Sequence, residues 1–319
     1  MTAYIIRRLF MAVIIIILVT LIVFFSIRLL PGDPLIIFLG KNAGLEQMSD
    51  ETLERLRHEY GLDKPVMVQY FSWISGVFRG DLGRSITYRD NVGTLLKERF
   101  PVTIHIGLVA FILGNVLGIM LGIVAALRRG TWVDSLATLV SYIGITIPVF
   151  WLGLLMMYVF GLKLGWLPIT GYVSPFKDFW ESTRSIIMPV ICEMITGLAV
   201  IARQTRSSML EVSRQDYIRT AWAKGLKERY IVLRHMLKNS LIPVVTLLGI
   251  GIGIIFGGSV LVETVFAIPG VGRLLVTAVF QQDYVVVQSG VLVISSIVIL
   301  SNLLVDISYG WLDPRIRYG

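Results

Sequence analysis

Charged side chains are scarce in this sequence: they make up 16% of its 319 residues, against 55% hydrophobic, and the mean hydropathy is +0.77. So little charge excludes a chain built to fold in water. Cysteine is nearly missing too. The one cysteine, Cys192, cannot form an intrachain disulfide, and within an apolar run it reads as a buried packing thiol. The GxxxxGK[ST] loop of nucleotide-binding proteins is absent, as are HExxH and the GxSxG elbow. No catalytic residue and no metal ligand set is identified. If the chain moves a solute against a gradient, another protein supplies the energy.

What is present is a set of apolar runs, each near the roughly 20 helical residues that cross a bilayer core. There are six, at 9–27, 102–127, 135–162, 186–202, 241–262 and 285–304, the fourth being the shortest and least clean. Arg7 and Arg8 precede the first run as they would in a signal peptide. Its length and the "RLLPGDP" that follows it, in place of a small-x-small cleavage site, predict a retained anchor.

Six spans put both termini on one face. That face carries Arg7, Arg8, Arg128, Arg129, Arg315, Arg317 and the basic run between Arg203 and Lys238, against Asp134, Glu211, Asp216, Glu228 and Asp313. The whole net charge of +8 falls there, so by the positive-inside rule the termini are expected in the cytoplasm. The long loop at 30–101 holds nine basic residues of its own, but loops of this length cross largely regardless of charge. Trp132 and Trp166 bracket the third span as interfacial anchors. The basic pI of about 9.6 therefore follows topology and calls for no nucleic-acid partner.

Within the spans, Gly114, Gly118 and Gly122 form one pair of overlapping GxxxG patterns, and Gly249, Gly253 and Gly257 another. Glycines four apart share a helix face and let a neighbouring backbone approach, whether for static packing or for helices that slide past one another. Pro148 and Pro189 predict kinks. The ionisable residues singled out in the spans or at their ends are His105, Glu193 and, near the inner end of the sixth, Asp306. A carboxylate in hydrocarbon costs on the order of 3 kcal/mol, so each needs a cavity, a partner or water. Glu193 suits contact with a substrate amino group, or a boundary position where it snorkels to water. Asp306 suits pairing with an inner basic residue, and His105 a structural hydrogen bond.

The stretch from 203 to 240 has helix-forming composition divided by Gly225. Tyr217, Ile218, Ala221 and Trp222 predict one apolar face; Tyr230, Leu233 and Leu237 predict a second. Glycine at a helix end supplies the left-handed residue that stops it, so a helix, a turn and a second helix are expected. An amphipathic helix on anionic lipid has no need of such a corner, whereas an elbow suits a groove on a soluble partner. In the outer loop, "SDETLERLRHEYGL" predicts a helix starting at Ser49, with Leu53, Leu56 and Tyr60 on one face.

The stretch "DYIRTAWAKGLKERYIVLRHMLKNSLIPVV" closely resembles the cytoplasmic EAA loop of binding-protein-dependent ABC importer permeases, in the form of the dipeptide, oligopeptide, glutathione and nickel group. The resemblance extends along nearly the whole chain through "RLLPGDP", "GLDKPVMVQYFSWISGVFRGDLGRS", "GWLP", "RQTRSSMLEV", "VETVFAIPGVGRLL" and "DPRIRYG". It implies an all-α polytopic membrane protein of the type I ABC importer permease kind. Six transmembrane helices, cytoplasmic termini, a long first extracytoplasmic loop and a cytoplasmic coupling helix are expected. The segments implied are 1–29 (N-terminus and first span), 30–101 (extracytoplasmic loop) and 102–319 (permease core, with the EAA-type loop at about 203–240).

By position Arg219, Thr220 and Ala221 occupy the Glu-Ala-Ala places and Gly225 the invariant glycine, with Lys224 and Leu226 beside it. Arg219 and Thr220 depart from the literal signature, and the "IP" of Ile242 and Pro243 comes later than the usual "LP". The implied partners are a second homologous permease, two ABC ATPase subunits that bind ATP and Mg, an extracytoplasmic solute-binding protein and membrane lipid. This chain would bind no cofactor, catalyse nothing, and form half of a pathway for di- or oligopeptides across a bacterial or archaeal inner membrane. Nickel complexes or glutathione are the alternative cargoes. An ion-coupled secondary transporter using Glu193 and Asp306, and a structural membrane protein, are the readings from other classes.

Overall fold

The computed structural model describes residues 2–29, 50–59, 61–257 and 260–312. The described residues form helices and their connections, with one isolated antiparallel bridge, between Arg84 and Asn91. Helix is the expected solution, because in hydrocarbon every backbone N–H and C=O must be satisfied within the chain.

The helices are α1 (Thr2–Arg28), α2 (Asp50–Glu59), α3 (Val66–Phe78), α4 (Val92–Leu127), α5 (Trp132–Thr146), α6 (Val149–Lys163), α7 (Phe179–Val212), α8 (Asp216–Ala223), α9 (Glu228–Ser240), α10 (Ile242–Gly257), α11 (Val260–Val265), α12 (Val271–Phe280) and α13 (Tyr284–Leu312). The last seven residues of α6 and the middle of α9, Ile231–Met236, are π-helical.

Four helices are long and apolar enough to cross a membrane: α1, α4, α7 and α13. Two bent pairs, α5 with α6 and α9 with α10, bring the candidate spans to six among the described residues if each pair is one span. The third span is therefore broken rather than kinked. At Ile147–Pro148 the axis turns by 104°, because Ile147 is extended and Pro148 has no N–H to continue the ladder.

At Pro189, α7 runs on without a break and buries the proline. The fourth span, the weakest in the sequence, is one of the longest helices, at 34 residues. Its polar ends concealed it from a hydropathy reading. The second span likewise begins earlier, at Val92, ahead of Pro101.

The chain forms two compact units, Met1–Thr103 with Pro269–Gly319, and Ile104–Ile268. In the first, α1 packs on α13 and α12 on α13. Val92, Leu95 and Leu96 at the start of α4 are buried against Val271, Leu274, Tyr284 and Val286. Asp283, 1% exposed, caps α13: one carboxylate oxygen accepts from the Ser85 hydroxyl at 2.5 Å and the Thr87 N–H at 3.0 Å, and the other from the Val286 N–H at 3.3 Å. Ser289 extends the clamp, donating to the Leu82 carbonyl at 2.7 Å and accepting from the Trp73 indole at 3.1 Å. Phe24 of α1 stacks on Trp73, and Thr20 meets the Tyr70 hydroxyl at 3.0 Å.

In the second unit α7 is the central helix. Gly114, Gly118 and Gly122 of α4 face it: a Cβ at these positions would come within 3.2 Å of the Met194 carbonyl, 2.8 Å of the Leu198 carbonyl and 2.5 Å of the Ala202 carbonyl. Gly144 of α5 approaches Ile195 and Ala199 in the same way. Such contact is what helix pairs in lipid rely on, since apolar side chains gain little by leaving a solvent as apolar as themselves. On α10, Gly249 and Gly253 are buried, and the surroundings of Gly257 lie outside the described residues. The glycine of α10 that receives α4 is Gly251, set against the Phe111 ring, while Gly107 of α4 approaches the Ile255 carbonyl. Neither belongs to the GxxxG patterns.

Candidate functional site

Two places in the second unit carry the residues singled out by sequence. The first is the elbow formed by α8, the turn after it, and α9. Gly225 has φ +74°, the Gly225 N–H donates to the Trp222 carbonyl at 2.9 Å, and the Leu226 N–H reaches back to the Ala221 carbonyl at 3.4 Å. These are the paired bonds of a Schellman stop, completed by the packing of Leu226 against the cluster that includes Ala221. The helix, turn and helix expected from the sequence are therefore present, with the stop at the expected glycine.

The buried faces differ in register. On α8, Ile218 and Ala221 are buried, while Tyr217 and Trp222 are 44% and 48% exposed. On α9 the buried residues are Ile231, Val232 and Met236; Tyr230 and Leu233 are exposed and Leu237 is half-buried. The offset is already present at Tyr230, one residue ahead of the π-helical stretch, where Ile231 and not Tyr230 faces the core. Ile218, Ala221, Ile231, Val232 and Met236 form one cluster with Met209 of α7, and Ile123 and Ala126 of α4 pack against it. Arg219, Thr220, Lys224 and Gly225 are exposed beside Tyr217 and Trp222.

Near this end of α7, Arg206 donates to both oxygens of Asp134 on α5, at 2.6 and 2.8 Å, and Asp134 also accepts from the Gly130 N–H at 3.0 Å. Two parallel charge-assisted bonds fix geometry as well as charge. Sequence reasoning counted both residues only as inner-face charge and missed the pair. The signal was weak, for the partners stand 72 residues apart.

The second place is a cavity of about 370 Å³ between α4, α7 and α10. Glu193, Asn115, Thr196 and Gly197 line it, together with apolar residues such as Phe111 and Ile250. Glu193 is thus neither at a helix end nor sealed into packing. A further acid, Glu263 of α11, is 2% exposed. The sequence reading passed over Glu263, although it stands in the quoted "VETVF" stretch.

His105 makes the expected structural bond, to the Tyr172 hydroxyl at 2.9 Å, and burial pushes the Tyr172 hydroxyl above its usual pKa. Cys192 is fully buried with its sulfur 3.9 Å from that of Met156. The side chains of Asp306, Leu53, Leu56 and Tyr60 and the residues 313–319 lie outside the described residues, as does Ser49. Among the described residues no group of three or more His, Cys, Asp or Glu has the arrangement of a metal site.

Comparison with known proteins bears on the whole chain. Residues 118–318 match the family described as binding-protein-dependent transport system inner membrane component, and residues 1–107 match the N-terminal region of such membrane components. The di/tripeptide transport system permease protein DppB of Pseudomonas aeruginosa is 40% identical over 338 residues, covering 100% of this chain and 99% of the relative. The dipeptide transport system permease protein DppB of Escherichia coli K12 is 38% identical over 341 residues, with 100% and 99% covered. Among solved structures, a chain of the inward-facing MetNI methionine ABC transporter aligns with a TM-score of 0.53 at 19% identity, over 70% of this chain and 97% of that one. That likeness concerns the fold. The family matches and the full-length identity together place this chain in the binding-protein-dependent transport system inner membrane component family, the membrane permease subunits of ABC importers, whose ATP hydrolysis resides in separate subunits.

Proposed function

We propose that the chain forms half of an import pathway for di- or oligopeptides, paired with a second homologous permease, driven by two ABC ATPases and supplied by an extracytoplasmic binding protein. The observation that carries the cargo is the full-length likeness, near 40%, to permeases named for dipeptide and di/tripeptide transport. Family membership favours this over an ion-coupled transporter, and no residue favours nickel or glutathione. ATP and Mg act on the partner subunits. The orientation proposed is the one the basic residues favour, with both termini and the elbow in the cytoplasm.

In this reading α8 is the coupling helix. Arg219, Thr220, Lys224 and the exposed rings of Tyr217 and Trp222 meet an ATPase groove, while Ile218 and Ala221 hold the helix to the permease. Gly225 and Leu226 set the corner, so the exposed face is presented at a fixed angle. Movement of α8 reaches the cavity through α7, because Met209 belongs to the elbow cluster and Glu193 lies sixteen residues earlier on the same helix, about 24 Å away at 1.5 Å per residue. Glu193 is the proposed pathway contact, its carboxylate matched to a peptide's ammonium group. The glycines at 114, 118 and 122 let α4 shear along α7 as the cavity changes access.

Uptake of a labelled dipeptide into liposomes holding the full importer tests the scheme. Gly225→Glu is expected to lower uptake at least tenfold and to release the ATPases, with the permease still extractable and folded. Uptake by this chain without ATPase subunits would overturn it.

A further inference from the structure

The first unit contains a second cavity, of about 340 Å³, where the end of α1 meets α3, the 81–86 loop and the start of α13. Its lining differs in kind from the apolar one around Glu193: among the described residues Arg28, Lys64 and Arg84 contribute three cations and Asp81 a single acid. Lys64, Arg84 and Asp81 are exposed, and Asp81 is occupied with the Gly83 N–H at 2.9 Å.

Arg28 is the unusual member. Its guanidinium lies 3.4 Å over the Phe24 ring and donates to the Gln69 side-chain carbonyl at 2.8 and 3.3 Å and to the Phe24 carbonyl at 3.2 Å, all neutral acceptors. Those bonds use three of its five N–H groups. Among the described residues no carboxylate meets it. Burial lowers its pKa to about 10, which leaves it charged at neutral pH and partly stripped of water. A cation held this way against a concave, polar space of this size attracts an anion, and the planar guanidinium fork matches a carboxylate.

A second polar group stands beside the cavity. Gln288 of α13 lines the same cavity, is 5% exposed, and its side-chain oxygen is buried with no donor. Native structures rarely leave such an acceptor unsatisfied. Trp73, Ile86 and Val285 give the cavity apolar wall as well. The volume is that of a small-molecule site, at the lower end of the usual range of about 300–1,000 Å³.

We propose that this cavity binds a small solute bearing a free carboxylate, of the amino-acid or short-peptide class, with its carboxylate on Arg28. The proposed orientation puts it on the extracytoplasmic side, as a holding site distinct from the cavity around Glu193. The carboxylate chemistry stands on the cavity itself; only the identity of the solute rests on the peptide-import reading.

Equilibrium dialysis of the intact importer in nanodiscs, without binding protein or ATP, tests it, with labelled glycyl-leucine, glycyl-leucinamide and inorganic phosphate as probes. The free acid is expected to bind at least tenfold more tightly than the amide. Arg28→Gln is expected to weaken the acid at least tenfold and Arg28→Lys less. Arg84→Gln, at an exposed position, is expected to weaken it about threefold and keeps the test decisive if Arg28→Gln does not fold. Equal binding of acid and amide, unchanged binding in folded Arg28→Gln, or displacement by phosphate as effective as by the dipeptide would each overturn the site. Dipeptide uptake with no such binding sinks the site alone, and selective binding without uptake sinks only the import reading.

Discussion

The seam between α4 and α7 and the clamp around Asp283 hold helices in opposite ways. At the seam, side chains are missing: Gly118 and Gly122 bring two backbones to a distance that leaves no room for a Cβ, and Gly114 leaves little. At the clamp, one buried carboxylate receives a hydroxyl and two backbone N–H groups. A seam without directional bonds resists added volume and tolerates displacement along its length. A clamp made of directional bonds tolerates neither rotation nor displacement. Under the proposed change of access, movement is expected along the seam, with the clamp as a fixed point of its own unit.

Adding volume to the seam is expected to have the largest effect. Gly122→Leu places its Cβ 2.5 Å from the Ala202 carbonyl and 2.6 Å from the Thr205 Cβ, and the first of these is backbone that cannot rotate away. The cost is about 3 kcal/mol or more, at the top of ordinary overpacking. It is read as loss of the monodisperse peak in size-exclusion chromatography. Gly197→Ala is the contrast, since nothing lies within 4 Å of a Cβ at that cavity-facing glycine of α7. It is expected to leave the peak unchanged, and equal damage from both would mean the seam is not specially tight.

Removing the clamp comes next. Asp283→Ala leaves the Ser85 hydroxyl and the Thr87 N–H without their acceptor, at a cost of about 2–3 kcal/mol. Thermal unfolding of the purified permease, followed by tryptophan emission, is the readout. An unchanged midpoint would show that the network adds nothing to stability. Arg206→Gln should cost less, about 1–2 kcal/mol. The pair is bidentate, but its arginine is 31% exposed, so solvent screens part of the interaction. A midpoint shift as large as that of Asp283→Ala would mean that the pair behaves as a buried one.

Much of this architecture was legible in the sequence, and the failures have physical causes. Composition and run length indicated the spans, because a bilayer imposes one length on every crossing helix. Gly225 was legible because a left-handed residue is a local requirement. The three glycines of α4 were legible as a face, since a straight helix keeps its 3.6 repeat. The buried face of α9 was not, because the count began at the exposed Tyr230 and no local signal separates it from the buried Ile231 beside it. Gly107 and Gly251 were missed because close approach there depends on where two helices cross, not on spacing along either. Asp134 with Arg206, and Asp283 with Ser85, join residues far apart in sequence, and each partner alone looks like an ordinary surface group.

The smallest expected effect on stability is at Gly225, where the comparison of seam and clamp is sharpest in another form. Like the seam glycines, Gly225 is needed for what it lacks, but nothing lies within 4 Å of a Cβ built there. The requirement is therefore one of backbone conformation alone, φ +74°. An L-residue pays roughly 1 kcal/mol for that region, asparagine less and a β-branched residue more. Stability of the purified permease is thus expected to fall in the order Gly, Asn, Ala, Val, by about 1 kcal/mol from Gly to Ala. Dipeptide-stimulated ATPase activity of the assembled importer should follow the same order with a steeper loss, because a relaxed corner re-aims Arg219 and Trp222 while the Ile218 and Ala221 face stays packed. Equal activity in Ala and Asn variants would separate the corner from coupling. A stability loss far above 1 kcal/mol would mean that Gly225 is packed like Gly122 and that the two kinds of glycine are one.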